Sequence, residues 1–217
     1  MQKKAWAAIS IILLLLILDQ SLKIWVKTHM LLGESFVITS WFKISFTENP
    51  GMAFGLEIMD KLYLTLFRIV AVIFIGWYLI RIINKRYSLG YVLCFSLIFV
   101  GAVGNILDSV FYGVIFNESP YWPGYVAGTP AELPPPATLF PASGGYGTWL
   151  HGKVVDMLFF PLIDTVVPQW VPIWGGQPFI FFRPIFNIAD SAVCVGAFLL
   201  FIFYRKTLSK SLGKDEN

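Results

Sequence analysis

At 217 residues the chain is one domain's worth of sequence, yet 57% of it is hydrophobic and 13% charged, against roughly 45–50% and 25% in soluble globular proteins. That balance excludes an ordinary soluble domain and calls for an integral membrane protein. The net charge of +3 does not ask for a nucleic-acid partner, because the basic residues flank apolar runs, where they act as topological anchors. Four segments approach the length of about 20 residues that a hydrocarbon core requires. They are residues 6–26 (WAAISIILLLLILDQSLKIWV), 62–83, 90–110 (GYVLCFSLIFVGAVGNILDSV) and 185–204 (IFNIADSAVCVGAFLLFIFY). No small-residue cleavage site follows the first run, which continues LDQSLK, so it reads as an uncleaved span. Cys94 and Cys194 both lie inside apolar segments and read as small embedded residues, not as a disulfide or metal ligands.

The basic residues predict the topology. Lys3, Lys4, Arg81, Lys85, Arg86, Arg205, Lys206, Lys210 and Lys214 fall on one side of a four-span arrangement, nine of the sixteen Lys and Arg. Both termini are therefore expected in the cytoplasm. Two larger regions, about 27–61 and 111–184, are expected on the periplasmic or outer side. In the first, FVITSWFKISF alternates apolar and polar residues and is followed by the turn signal ENPG, which predicts a small sheet at the membrane surface. The second carries a long Pro-, Gly- and aromatic-rich loop, NESPYWPGYVAGTPAELPPPATLFPASGGYGTWLHG, with little helical or strand pattern. The expected architecture is a mainly α membrane protein, a single domain over 1–217.

Polar residues that interrupt the apolar runs carry the functional signal. Asp19 with Lys23, Asn105 with Asp108, and Asn187 with Asp190 lie at the outer ends of predicted spans, and Asp156 stands in KVVDMLFF. A carboxylate at such depth costs about 3 kcal/mol on insertion scales. The i,i+4 spacing of Asp19 and Lys23 also fits a plain helix ion pair. Asn105 and Asp108 fit interhelical hydrogen bonding beside the small residues of GAVG. Arg68 would neutralise one of the acids or snorkel outward, and Asp164 and Glu57 read as solvated loop acids. Asp156 and Asp190 have no basic residue at helical pairing distance along their own segments. Two aspartates held close share a proton and supply an acid and a base together, which would activate water against an amide carbonyl. Proton relay and structural polar packing use the same residues, so a small non-enzymatic transporter stays open as the alternative.

Other hydrolytic chemistries lack their signatures. There is no HExxH, and His29 and His151 are isolated in predicted outer loops. Ser143, in PASGG, lacks the strand-turn-helix setting of a nucleophile elbow. No nucleotide-binding glycine motif is present.

The segments DQSLKIWVK (19–27), ENPGMAFG (48–55), GAVGNILDS (101–109), GKVVDML (152–158) and FNIADSAVCVG (186–196) together resemble the lipoprotein signal peptidases, or signal peptidase II, of the bacterial cytoplasmic membrane. The resemblance implies four transmembrane helices with a periplasmic β-cradle and a long periplasmic loop insertion. It implies an aspartic endopeptidase that removes the signal peptide from prolipoproteins, cutting before a diacylglyceryl-modified cysteine. Asp156 and Asp190 match the family's catalytic aspartates. Asn49 and Gly51 match its N-x-G motif, and Asp19, Lys23, Asn105, Asp108 and Asn187 match residues that position substrate or support the site. No metal or cofactor is expected; the implied partners are prolipoprotein substrates and membrane lipid, without nucleic acid, and the enzyme is expected to act as a monomer. Two departures stand out. Ser109 occupies the position where the family has Arg, leaving Arg68, Arg183 or Lys153 as substitutes, and residues 114–151 form an insertion, read as a lineage-specific loop in preference to a lid.

Overall fold

A computed structural model of the chain describes residues 2–51, 61–85, 87–124 and 133–213. The Met52–Gly55 part of the ENPGMAFG motif, Glu57, and the basic anchors Arg86 and Lys214 lie outside the described residues.

The long apolar runs become helices α1 (Gln2–His29), α2 (Lys61–Asn84) and α3 (Leu89–Leu107), the last continued by a π-helical turn (Asp108–Tyr112) and the short α4 (Gly113–Ile115). Their polarity is inverted relative to a soluble helix. On α1, Leu13, Leu14 and Ile17 are exposed while Asp19, Lys23 and Lys27 are buried, as expected when the solvent is hydrocarbon and polar groups must pair inside the protein. Among the described residues three helices are long and apolar enough to cross a membrane, Gln2–His29, Lys61–Asn84 and Leu89–Ile115. A fourth, α5 (Ile188–Phe203), passes only together with the following helix, from which it is bent by 89°. The chain is thus a multi-pass membrane protein with three to four apolar helices.

Helix α5 begins three residues later than the predicted span, because residues 185–186 are drawn into a sheet and Asn187 caps the helix from outside. Its sixteen residues span about 24 Å. After Tyr204 the chain turns into α6 (Arg205–Leu212), where Arg205 and Lys206 take it out of the apolar run. Ser211 Oγ bonds to the hydroxyls of Tyr78 and Tyr91 at 2.6 and 2.9 Å, and Lys4 Nζ donates to the Tyr87 carbonyl. These contacts gather the N-terminal lysines, the α2–α3 turn and α6 at one end of the bundle, around a cluster that includes Tyr78, Ile82, Tyr91 and Leu200.

At the other end lies a four-stranded antiparallel sheet. Its strands are β1 (Ser35–Thr39), β2 (Phe42–Asn49), β3 (Val154–Phe159) and β6 (Ile185–Phe186), in the order β1-β2-β3-β6. The strand-like run FVITSWFKISF is split between β1 and β2, a hairpin in which Ser35 and Ser45 face each other and share a hydroxyl hydrogen bond of 2.6 Å. Its turn at Ser40–Trp41 contains neither Gly, Pro, Asn nor Asp. Strands β4 (Ile163–Val166) and β5 (Pro178–Phe181) form a separate hairpin, so Asp164 is a strand residue, paired with Lys43 at 3.1 Å.

The insertion is not detached from this frame. Phe116 pairs with Leu139 and Leu32 with Tyr121 as isolated bridges. Phe116 and Tyr146 pack in one cluster with Val26, Met30, Phe46, Val155 and Met157. Close approach of α3 and α5 depends on small residues: a Cβ on Gly101 would lie 2.2 Å from the carbonyl oxygen of Ala189.

Candidate active site

The site is built from the start of α5. Asn187 is extended and stands just outside the helix as its N-cap, not on a helix face with Asp190 as the spacing suggested. Its Oδ1 accepts from the Asp190 N–H at 2.8 Å, and Asp190 Oδ2 accepts from the Asn187 N–H at 3.3 Å, a capping box. Capping consumes only the oxygen of the Asn187 amide. Its Nδ2 donates to Asp156 Oδ1 at 2.7 Å, with Asn105 Oδ1 at 3.0 Å and the Val155 carbonyl at 3.3 Å also in reach. One side chain therefore holds both aspartates.

Asp156 lies on β3, opposite Thr47 of β2, and is only 6% exposed. Burial, reinforced by the nearby charge of Asp190, pushes its carboxyl up to about 7. Asp190 is half-buried, and its Oδ1 accepts from Asn105 Nδ2 at 2.7 Å.

Beneath this pair sits a buried ionic layer. Lys23 Nζ lies 2.9 Å from Asp19 and 2.9 Å from Asp108, and donates to Asn105 Oδ1 at 3.1 Å. Asp19 does more than pair along its own helix: its Oδ1 accepts the Ala189 N–H at 2.9 Å and so serves as a second cap for α5. Asp108, on the π-helical turn, accepts from the Val155 N–H at 3.2 Å, one residue from Asp156. π-helical turns often mark functional sites. The structure thus brings Asp19, Lys23, Asn105, Asp108, Asp156, Asn187 and Asp190 into one connected network.

Asn49 and Gly51 have a different place. Asn49 Oδ1 accepts from the Gly51 N–H at 2.8 Å, and Gly51 has φ +107°, a backbone that favours glycine. A Cβ there would lie 2.9 Å from Leu64 and 3.2 Å from Lys61, so the motif seats the end of β2 against the start of α2.

Several participants were missed from sequence. Gln20 donates to Asp108 Oδ1 at 2.9 Å, to Asp19 Oδ2 at 3.1 Å and to the Gly104 carbonyl at 3.2 Å, and accepts from the Tyr112 hydroxyl. Its position inside the DQSLK motif was the available signal. A second buried set joins Lys27 to Glu48 and to Ser119, the latter at 2.7 Å, beneath the rings of Phe116 and Tyr146. Tyr146, whose phenol burial pushes up, accepts the Lys153 N–H at 2.6 Å. His29 closes α1, in place of the predicted loop, and stacks on Trp25. Among the described residues no group of three or more His, Cys, Asp or Glu side chains gathers as a metal site.

Ser109 is buried and donates to the Asn105 carbonyl at 3.0 Å. Of the three basic residues considered in its stead, Arg183 is exposed and Lys153 pairs with Glu118 and with Glu48. Arg68 has Asp190 as its strongest electrostatic partner, followed by Asp156 and Asp108.

Known proteins resemble the chain over most of its length. The family model described as Signal peptidase (SPase) II matches residues 11–205. The chain belongs to the signal peptidase II family. It is a membrane peptidase of that aspartic family. The chain is 51% identical to a lipoprotein signal peptidase of Porphyromonas gingivalis, over 92% of this chain and 83% of that one. It is 35% identical to one from Amoebophilus asiaticus, over 100% and 85%. A solved bacterial membrane enzyme, determined by the in meso method at 2.3 Å resolution, is similar with a TM-score of 0.56 at 25% identity, covering 97% of this chain and 93% of the other.

Proposed function

We propose that this chain removes the signal peptide from diacylglyceryl-modified prolipoproteins, cutting before the lipidated cysteine, with Asp156 and Asp190 as the catalytic pair. The observation that carries this reading is the set of bonds around Asn187, whose Nδ2 donates to the Asp156 carboxyl and whose backbone N–H donates to that of Asp190. Asp156 holds the proton, since burial and the neighbouring negative charge raise its carboxyl to about 7. Asp190 is the base: both its oxygens accept N–H donors, from Asn105 and from the Asn187 backbone, an arrangement complementary to a carboxylate.

Asp190 removes a proton from a water lying between the two carboxyls as the water oxygen attacks the scissile carbonyl. Asp156 donates its proton to the carbonyl oxygen, giving a gem-diol. In collapse, the hydroxyl proton returns to Asp156, and Asp190 passes its proton to the departing amine nitrogen. Water is the nucleophile throughout, so no acyl-enzyme forms. Asp19, Lys23, Asn105, Asp108 and Asn187 position the pair, and Asn49 and Gly51 shape the substrate side.

In this reading the chain is a single monomeric domain over residues 1–217. It crosses the bacterial cytoplasmic membrane four times with both termini in the cytoplasm, and the site lies at the periplasmic face, where the substrate's signal helix and acyl chains are already in the bilayer. The basic residues gathered at the end of the bundle away from the sheet support that orientation. The test is cleavage of a diacylglyceryl-modified prolipoprotein by the purified protein. Asp156→Asn and Asp190→Asn are each expected to abolish cleavage; near-normal activity of either would overturn the assignment.

A further inference from the structure

Helix α2 carries a polar stripe at Lys61, Thr65 and Arg68, spaced i, i+4 and i+7 along an otherwise apolar helix. Thr65 is fully buried, and its hydroxyl is shared between the Lys61 carbonyl of its own helix at 2.8 Å and the Leu150 carbonyl of the insertion at 3.0 Å. Gly51 packs on Lys61 from the β2 side. The two cations differ from the other buried cations of the molecule. Lys23 and Lys27 each touch a carboxylate. Lys61 Nζ and Arg68 Nη1 are buried without a hydrogen-bond partner among the described residues. Arg68 feels Asp190, Asp156 and Asp108, and Lys61 feels Asp108 and Asp156. Both cations are thus within electrostatic range of the acids, and among the described residues neither is paired with one of them.

A buried donor left without an acceptor is destabilising, more so when it is charged. A fold that keeps two of them beside the catalytic carboxyls recovers that cost when an acceptor arrives. Among the described residues the acids of the network do not fill the role, since all four already accept from Lys23, Gln20, Asn105, Asn187 or backbone N–H groups.

We infer that Lys61 and Arg68 form a subsite that binds a carbonyl oxygen of the substrate next to the cleaved bond. This rests on the function proposed above. The carbonyl has two available sources: an ester of the diacylglyceryl group or the peptide backbone flanking the cysteine. Lys61 and Arg68 bind substrate here and take no part in proton transfer.

The experiment measures KM and kcat for wild type, Arg68→Gln, Arg68→Lys and Lys61→Gln on two prolipoprotein substrates, one with diacylglyceryl and one with the ether-linked dialkylglyceryl group. Arg68→Gln is expected to raise KM about tenfold with a smaller change in kcat, and Arg68→Lys to recover part of it. A rise seen only with the diacyl substrate assigns the lipid ester; an equal rise with both assigns the peptide carbonyl. Losing the cation also favours the protonated acids, so the alkaline limb of the pH profile should move upward in Arg68→Gln. Unchanged KM and pH profile on both substrates would overturn the subsite, as would a fall in kcat and folded yield alone. Should Arg68→Gln fail to fold, Arg68→Lys and Lys61→Gln are read by the same criteria. The exposed Arg183→Gln serves as the control and is expected to match wild type. Wild-type protein that does not cleave either substrate refutes the function itself; cleaving wild type with flat Arg68 and Lys61 variants refutes only the subsite.

Discussion

Asn187 donates to Asp156 at 2.7 Å while its amide oxygen caps the helix that carries Asp190. The same side chain thus terminates a strand, starts a helix and sets the spacing of two acids that are thirty-four positions apart in the chain. Its two functions are separable by mutation. Asn187→Ala should lose about 1 kcal/mol of stability through the lost cap and about a hundredfold in cleavage through misplacement of the acids. Asn187→Ser keeps a capping oxygen but has no amide to reach Asp156, so it should regain thermal stability and remain poorly active. Equal recovery of both in Asn187→Ser would show that the bond to Asp156 is dispensable.

The raised carboxyl of Asp156 makes stability and activity fall together as pH rises. Its ordinary value is 3.8 and its value in the fold is about 7, so between those limits the folded state binds a proton that the unfolded chain has released. Stability accordingly falls as pH rises through that window, and the full penalty is present above it. Asp156→Asn retains the acceptor for Asn187 and removes the ionisation. It should melt higher than wild type at pH 8, by about 4 °C or more, with the difference shrinking toward pH 4. In wild type, kcat/KM should decline as pH rises through about 7, where Asp156 loses its proton. A melting difference independent of pH would contradict this account.

The apolar runs and the site acids were legible in sequence because each violates, or obeys, a rule about what hydrocarbon tolerates. Apolar runs of about 20 residues and carboxylates beside or inside them need no tertiary information to be noticed. What could not be read is where helices stop and sheets begin near the site. Ile185 and Phe186 are separated from the apolar run of α5 by Asn187 alone, and pairing with Leu158 and Phe159 makes them a strand. The β1–β2 hairpin was hidden for a related reason: alternation continues through the Ser40–Trp41 turn as if one strand were present. Gln20 and the set of Lys27, Glu48 and Ser119 escaped because their partners lie 21 to 92 positions away. Asp19 carried a sequence-local explanation, the pair with Lys23, that concealed its role as a cap on a distant helix.

Lys23 is the residue whose removal should be least tolerated. It is fully buried and contacts Asp19 and Asp108 at equal distances. Lys23→Met keeps the bulk of the side chain yet leaves two buried carboxylates without their cation, an error that costs about 3–5 kcal/mol when one partner of a buried pair is removed. Folded yield in detergent should fall sharply. The double variant Lys23→Met with Asp108→Asn should recover part of the loss, because it removes one of the stranded charges. Failure of the second substitution to restore any stability would mean that the two groups are not energetically coupled.

The insertion at residues 114–151 reads from sequence as a lineage-specific loop in preference to a lid, and in the structure part of it belongs to the core. Phe116 and Ser119 are buried, and Tyr146 accepts the backbone N–H of Lys153, three residues before Asp156. Deleting residues 116–149 removes all three, so that variant should fail to fold and not simply lose a cover over the site. A milder test is Tyr146→Phe, which keeps the ring under Lys27 and Lys153 and deletes only the acceptor. The stranded N–H should cost about 1–3 kcal/mol, read as a lower melting temperature, with the strain felt first in the strand that leads to Asp156. If the 116–149 deletion folds and cleaves at the wild-type rate, the insertion contributes neither packing nor support, and the coupling through Tyr146 has no consequence for the site.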